Sequence, residues 1–265
     1  MFKHGAHVTS WRDAAGNELL FVSKNALFQP PKAIRGGIPV CWPQFSDFGS
    51  LGQHGFARNR EWELVGGGTD ESGGAFVELV LRDCEETRAV WPHSFELTLR
   101  VVISDAGTLH CDLGVNNTGA QELAFTAALH TYFRCDAKNT TVRGLHGASY
   151  LDSLAGRCVV VQEDEAVSFG AEVDRIYLGV GGKHLLLVDA THGRTVAVAA
   201  SNMPDAVVWN PHVAKAKAMA DFGDEEYLDM VCIEPAVVQP AVKLAPGQVW
   251  RGGQVLSVDS MPGRR

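Results

Sequence analysis

Hydrophobic and polar residues alternate with a period of two along much of this chain. Phe95, Leu97, Leu99, Val101 and Ile103 fall on one parity, with Glu96, Thr98 and Arg100 on the other. Leu109, Cys111, Leu113 and Val115 alternate in the same way with His110, Asp112, Gly114 and Asn116. Successive side chains of a strand point to opposite faces, so this pattern predicts two half-buried antiparallel strands. Ser104-Asp105-Ala106-Gly107 between them reads as a hairpin turn. Shorter strand signals occur at His7–Trp11, Leu19–Val22, Trp62–Val65, Phe76–Leu81, His184–Ala190, Thr195–Ala200, Ala206–Trp209 and Gln248–Val258. Asp13–Asn17, Gly66-Gly67-Gly68, Asn116–Gly119 and Gly181-Gly182 read as turn punctuation. Helical signals are few: Ala214–Ala220 and Asp224–Met230 allow two turns each at most. With no long amphipathic helix, alternating strand–helix architectures are excluded. The expectation is an all-β fold, one large antiparallel β-sandwich with few short helices, in a single domain over residues 1–265.

Composition narrows the function classes. The 265 residues are 46% hydrophobic and 20% charged, which is ordinary for a globular protein with a large core. A net charge of -8 gives no general attraction for nucleic acid or an anionic membrane, so neither is expected as a partner. An anionic ligand would need a local cation cluster working against that field. Cys41, Cys84, Cys111, Cys135, Cys158 and Cys232 are scattered with no Cys-x-x-Cys pair, and read as reduced thiols in an intracellular protein. No apolar run approaches the ~18–20 residues needed to span a bilayer, and Met1–Gly5 lacks the apolar segment of a signal peptide. The ten histidines show no metal-ligand spacing, and no phosphate loop, dinucleotide fingerprint or serine-nucleophile elbow is present.

Three places carry candidate chemistry. Arg35–Phe45 and Gln53–Arg60 form a long, glycine- and proline-framed stretch holding arginines, amides, a histidine and aromatics. That is the make-up of a binding loop, and arginine's planar fork suits phosphate or carboxylate. Arg35 and Arg58 are the candidates there; the alternative for both is a structural ion pair. Arg60, close to Glu61 and Glu63, reads as structural. In Leu123–Phe133, one face carries Phe125, Ala127, Leu129, Thr131 and Phe133, and the other carries His130 with Thr126, Ala128 and Tyr132. His130 is either a polar-face strand histidine or a cleft histidine with a pKa suited to proton transfer. Glu234 closes an apolar run before Pro235. It is either a half-solvated strand-end carboxylate or a general base tuned by its surroundings.

The ordered set of segments resembles the hexose-6-phosphate mutarotases, or glucose-6-phosphate 1-epimerases, of the aldose-1-epimerase (galactose mutarotase-like) superfamily. The residues that carry it are Gly5–Trp11, Ala33–Pro39, Gln53–Arg58, Leu129–Phe133, Asp174–Tyr177, Val208–Pro211, Asp221–Asp224 and Cys232–Ala236. Pro30–Arg35 and Lys215–Met219 are most similar to the plant and algal branch. The resemblance implies a β-supersandwich with an open cleft on one sheet. It implies that His130 and Glu234 are catalytic, that Arg35, Gln53, Arg58 and Asp174 contact the sugar phosphate, and that His54 lines the cleft. Family members have a further strand or so before the segment matching Gly5–Trp11, whereas this chain begins close to that point. The expected compartment is therefore the cytoplasm, or an organelle such as a plastid where a precursor segment has been lost.

The reaction implied by the resemblance is acid–base ring opening of an aldohexose 6-phosphate, with Glu234 as base and His130 as acid. Asp174 would hold sugar hydroxyls, and Trp42, Phe45 or Trp209 would face the ring. No metal or organic cofactor is called for, since no redox or group-transfer step occurs, and the protein is expected to act as a monomer. The alternatives are a mutarotase of unphosphorylated aldoses, a non-catalytic carbohydrate-binding protein, and a structural protein with a vestigial site.

Overall fold

A computed structural model describes residues 1–260 as two antiparallel sheets packed face to face. The eight-stranded sheet runs Val40–Cys41, Leu123–Leu129, Met230–Leu244, Asp205–Asn210, Val173–Tyr177, Ser149–Asp152 and Cys158–Val161 from edge to edge, with Tyr132–Arg134 pairing beside Met230. The nine-stranded sheet runs Ala166–Val167, Thr140–Arg143, Leu185–Asp189, Arg194–Ser201, Val249–Ser260, Leu109–Asn117, Phe95–Ile103, Ala75–Arg82 and Glu63–Thr69. In each sheet, strands from the first half of the chain meet strands from the second half across one late strand: Met230–Leu244 in the first, Val249–Ser260 in the second.

The period-two parity decides which face is buried. Phe95, Leu97, Leu99 and Val101 pack between the sheets with Leu109, Cys111, Leu113 and Val115, and Gly107 takes φ +76° in the turn that joins them. Ile103, predicted to share that face, lies at the hairpin end and is 42% exposed. Phe125, Ala127, Leu129 and Phe133 also enter this inter-sheet core. Ala128, Tyr132, Trp209 and Cys232 belong to a second cluster on the outer face of the eight-stranded sheet. That cluster is covered by the N-terminal segments, the 43–56 loop and the helix His212–Ala218. Among the described residues, no helix is long and apolar enough to cross a membrane.

Several local expectations fail for identifiable reasons. Gly66-Gly67-Gly68 is not a turn but the middle of an edge strand with a bulge, paired with Phe76–Glu78. A Cβ added at any of the three would meet nothing closer than 3.5 Å. His7–Trp11 and Leu19–Val22 form only isolated bridges, to Phe2, Ile38, Phe133 and Gly36 among others. Asp224–Met230 is a single 3-10 turn, Glu226–Leu228, followed at once by strand. The helix expected at Ala214–Ala220 begins two residues earlier, and the short helix at Glu85–Val90 has no counterpart among the sequence signals.

Candidate active site

Sheet register brings the two candidate proton-transfer groups together. Cys232 pairs with Tyr132 and Ala236 with Ala128. His130 and Glu234 lie midway between these pairs, so they stand directly across from each other on one face, where cross-strand Cβ atoms are ~5 Å apart. The first strand breaks at this point. The His130 N–H leaves the ladder and donates to the Pro39 carbonyl at 3.0 Å. Behind it, Thr131 turns into the inter-sheet core, where the Gln254 amide donates to its hydroxyl at 2.8 Å. His130 is thus pinned by the binding loop in front and by the opposite sheet behind.

The same loop depends on two glycines. Gly36 has φ +113°, and a Cβ there would run into the Phe21 carbonyl oxygen; Gly37 has φ +62°, and a Cβ there would run into the Val8 carbonyl oxygen. Any side chain at either position would collide with backbone. The close approach lets Gly37 accept from the Tyr132 N–H at 2.9 Å and donate to Phe21 at 2.7 Å. His7, fully buried, hydrogen-bonds the Gly36 carbonyl through Nε2 at 2.6 Å. The glycines therefore serve close packing against the His130–Tyr132 segment, which presents Arg35 beside it.

His130 Nδ1 lies 3.2 Å from Glu234 Oε1, with the imidazole 6% and the glutamate 1% exposed. The contact is close but not aligned: Nδ1 and the second carboxylate oxygen, Oε2, have no hydrogen-bond partner. Opposite charges at this distance would favour the ionised forms, whereas burial favours the neutral ones. Burial prevails in both directions here. It pushes the Glu234 carboxyl well up, with Asp174 adding to the rise and Arg58 opposing it. It pushes the His130 imidazole well down, helped by His54, Arg58 and Arg35. Both directions favour a neutral acid beside a neutral imidazole, a pair with one dissociable proton between its two groups.

Around this pair the remaining candidates divide. His54 (φ +66°) accepts from the Ser46 N–H at its Nδ1, so its neutral ring carries the proton on Nε2. Its centroid is 5.4 Å from that of His130. Arg58 donates to the Gln53 carbonyl at 3.1 Å, and its buried Nε has no partner. Arg35 is held by Asp221 through Nε and by the Tyr132 hydroxyl, both at 3.2 Å. Asp174, two strands from Glu234, faces the Lys215 ammonium at 3.5 Å. Gln53 is exposed, and its backbone carbonyl is the acceptor for Arg58.

Among the aromatics, Trp209 stands edge-on to His130 and Tyr132 with centroids 5.9 Å away. Phe45 packs on His54. Trp42 does not reach the site: it lies between the sheets against Phe56, Trp91, Phe95 and Phe125. Arg60, read from the sequence as structural, has its carboxylate neighbour in Glu86 at 3.8 Å rather than in Glu61 or Glu63.

Sequence reasoning does not single out Tyr132, Lys215, Asp221 or Cys232 as part of this cluster. Tyr132 stacks on His130 at 4.7 Å, two residues away on the same face. Lys215 projects from the helix His212–Ala218 to within 6.0 Å of the Trp209 ring centre. Cys232 lies one cross-strand row from Glu234, and its Sγ, a His130 ring nitrogen and a Glu234 oxygen fall within 4.8 Å of one another. Those three could hold a cation between them. A groove of about 490 Å³ on the outer face of the nine-stranded sheet is lined by Glu78, Glu96, Arg100, Asp112 and Arg251. Its Arg100 is already paired with Asp70 and Glu78, and it lacks an acid–base pair of this kind.

Comparison with known proteins gives the family of the chain. The family profile described as Aldose 1-epimerase matches residues 1–257. A protein of Cenchrus ciliaris named "Putative glucose-6-phosphate 1-epimerase" is 44% identical over 97% of this chain and 80% of its own length. An Escherichia coli protein of the same name is 35% identical over 91% of this chain and 80% of its own. The crystal structure of "a putative mutarotase (YeaD) from Salmonella typhimurium" superposes with a TM-score of 0.88 at 33% identity, covering 97% of this chain and 85% of that one. A profile match over nearly all of the described residues, together with relatives this similar along their length, places the chain in the aldose 1-epimerase family.

Proposed function

We propose that this protein is an isomerase that interconverts the α and β anomers of hexose 6-phosphates, with Glu234 and His130 as its acid–base pair. The observation that carries the reading is the carboxyl–imidazole pair itself: placed face to face by register, nearly closed off from solvent, and 3.2 Å apart. The names of the relatives support the substrate class.

In the forward step Glu234, ionised after its proton has moved to His130, takes the proton of the C1 hydroxyl. The oxygen's electron pair forms the C1 carbonyl, the C1–O5 bond breaks, and O5 receives the proton of His130. Rotation about C1–C2 presents the other carbonyl face. Re-closure runs the transfers in reverse, with the two groups exchanging roles. Each well-placed transfer contributes on the order of 10²–10⁴-fold. Arg58 favours the ionised Glu234 but disfavours a cationic His130, so its charge does not by itself drive the proton from one to the other.

Substrate recognition in this reading falls to the surrounding cations. Arg58 has a buried Nε in search of an acceptor, and Arg35 is fixed by Asp221 and Tyr132. A phosphate of roughly -1.5 to -2 charge answers both. Asp174 and the Nε2–H of His54 hold sugar hydroxyls, Gln53 closes the rim, and Trp209 limits the ring's position. The protein is taken to work as a cytoplasmic monomer, which sedimentation and fractionation would check.

Anomeric exchange followed by NMR on glucose 6-phosphate, mannose 6-phosphate, galactose 6-phosphate and free glucose tests the proposal. Acceleration for the phosphorylated sugars, with Arg35→Ala weakening their binding far more than that of free glucose, is the expected outcome. No acceleration for any of the four would sink it.

A further inference from the structure

The acid–base pair lies beside a buried thiol that the proposed chemistry does not use. Cys232 and Glu234 are two apart on one strand and share a face, and His130 comes from the neighbouring segment across from them. Two ligands at i and i+2 on a strand, with a third from the adjacent segment, offer three donors to one point above a sheet. Sγ, the imidazole nitrogen and the carboxylate oxygen lie within 4.8 Å of one another. A tetrahedral zinc ion with bonds of 2.0–2.3 Å asks for ligand separations of roughly 3.3–3.7 Å, and the His130–Glu234 contact of 3.2 Å is already near that. The donor set is the second argument. Imidazole and thiolate select zinc over magnesium or calcium. One thiolate and one carboxylate also cancel the +2 charge, so the complex is neutral, as a buried site requires. The third is independent of the grouping: His130 Nδ1 and Glu234 Oε2 are buried and have no hydrogen-bond partner.

We propose that His130, Cys232 and Glu234 form a zinc-binding site, and that a bound Zn²⁺ silences the enzyme by occupying both proton-transfer groups. Binding displaces the thiol proton of Cys232 and the proton shared by His130 and Glu234, so the cation exchanges for protons and nothing is oxidised or reduced. The fourth coordination position is left to water. Arg35, Arg58 and Lys215 would repel a bare cation, but they act only weakly on the neutral complex once it has formed.

The inhibitory half of the proposal rests on the acid–base reading of the site; the metal site itself does not. The test is a Co²⁺ and Zn²⁺ titration of the chelator-treated full chain, with Cys232→Ala and Cys232→Ser compared to Cys158→Ser and Cys84→Ser. Unlike the buried Cys232, Cys84 is half-buried and Cys158 exposed. The expected result is one cobalt per chain with a sulfur-to-cobalt charge-transfer band and tetrahedral visible bands. Both Cys232 variants should lose the band and bind zinc at least ~100-fold more weakly, since removal of even an outer-shell partner costs 10–100-fold. Mutarotation by the wild type should stop with stoichiometric zinc and return with chelator, while the Cys232 variants should keep their own zinc-free rates. No band, a band that survives in Cys232→Ala and Cys232→Ser, a band lost with Cys158 or Cys84, or full activity with zinc bound would each overturn it. If the cobalt bands appear as described but the wild type accelerates no sugar, the acid–base reading fails and the cation site stands.

Discussion

His7 gives a sharp test of how the binding loop is built. It is fully buried, and its Nε2 holds the Gly36 carbonyl at 2.6 Å. Burial lowers its pKa from 6.5 to about 4, against the raising effect of that hydrogen bond. The unfolded chain therefore binds a proton near 6.5 while the folded protein waits until about 4. Between those values the unfolded state holds the extra proton, so stability is complete above ~6.5 and is lost as pH falls towards 4. The shift corresponds to about 3 kcal/mol in total, of which about 2 kcal/mol is gone by pH 5. Other buried groups titrate in the same range, so the contribution of His7 is isolated with His7→Gln. Glutamine can donate to the same carbonyl but cannot ionise, and it loses nothing at Nδ1, which has no partner. Urea unfolding followed by tryptophan fluorescence at pH 7 and pH 5 should show the wild type losing about 2 kcal/mol more than the variant. If the two lose stability in parallel to within ~0.5 kcal/mol, the buried neutral histidine is not what holds this loop.

Substitutions at Glu234, Gly37 and Asp205 should each leave a distinct mark. Glu234→Gln should slow anomeric exchange on glucose 6-phosphate by on the order of 10²–10⁴-fold. The same variant should melt no lower than wild type at pH 7, because a carboxyl whose pKa is raised in the fold costs stability as pH climbs above its unfolded value. Gly37→Ala should destabilise by at least ~2 kcal/mol, since the new methyl would meet the Val8 carbonyl at a positive φ; calorimetry reads this. Asp205 is buried and accepts from the N–H groups of Val238, Gln239 and Gly179 at 2.8, 3.1 and 3.2 Å. Asp205→Ala should cost roughly 2–4 kcal/mol in chemical denaturation, because those donors would be stranded.

The hairpin from Phe95 to Asn117 was legible because its residues are buried on one face only, which leaves a clean alternation. Met230–Leu244 was not, because both of its faces are covered along Met230–Val238 and its parity is erased. Pro235 and Pro240 hid it further. His130 and Glu234 could each be picked out as odd, but nothing local says that they touch. That depends on a register between segments about a hundred residues apart. The partners of Arg35 were equally invisible: Asp221 sits 186 residues away. Trp42 misled for the opposite reason. A tryptophan in a binding-loop sequence looks like a ligand contact, and only the packing of the loop shows that it points into the core.

The two late strands, Met230–Leu244 and Val249–Ser260, each join an earlier-made half of a sheet to a later-made half. During synthesis, Leu123–Leu129 emerges roughly 100 residues before its partner, which at 5–20 residues per second is a wait of ~5–20 s. Leu109–Asn117 waits longer still for Val249–Ser260. Through that interval two strand edges with apolar faces stand unpaired on the ribosome, a state that invites edge-to-edge association. Neither the His130–Glu234 contact nor closure of the sandwich can precede the arrival of these strands. For the nascent chain, protection from aggregation and the first moment of activity are therefore set by the same event.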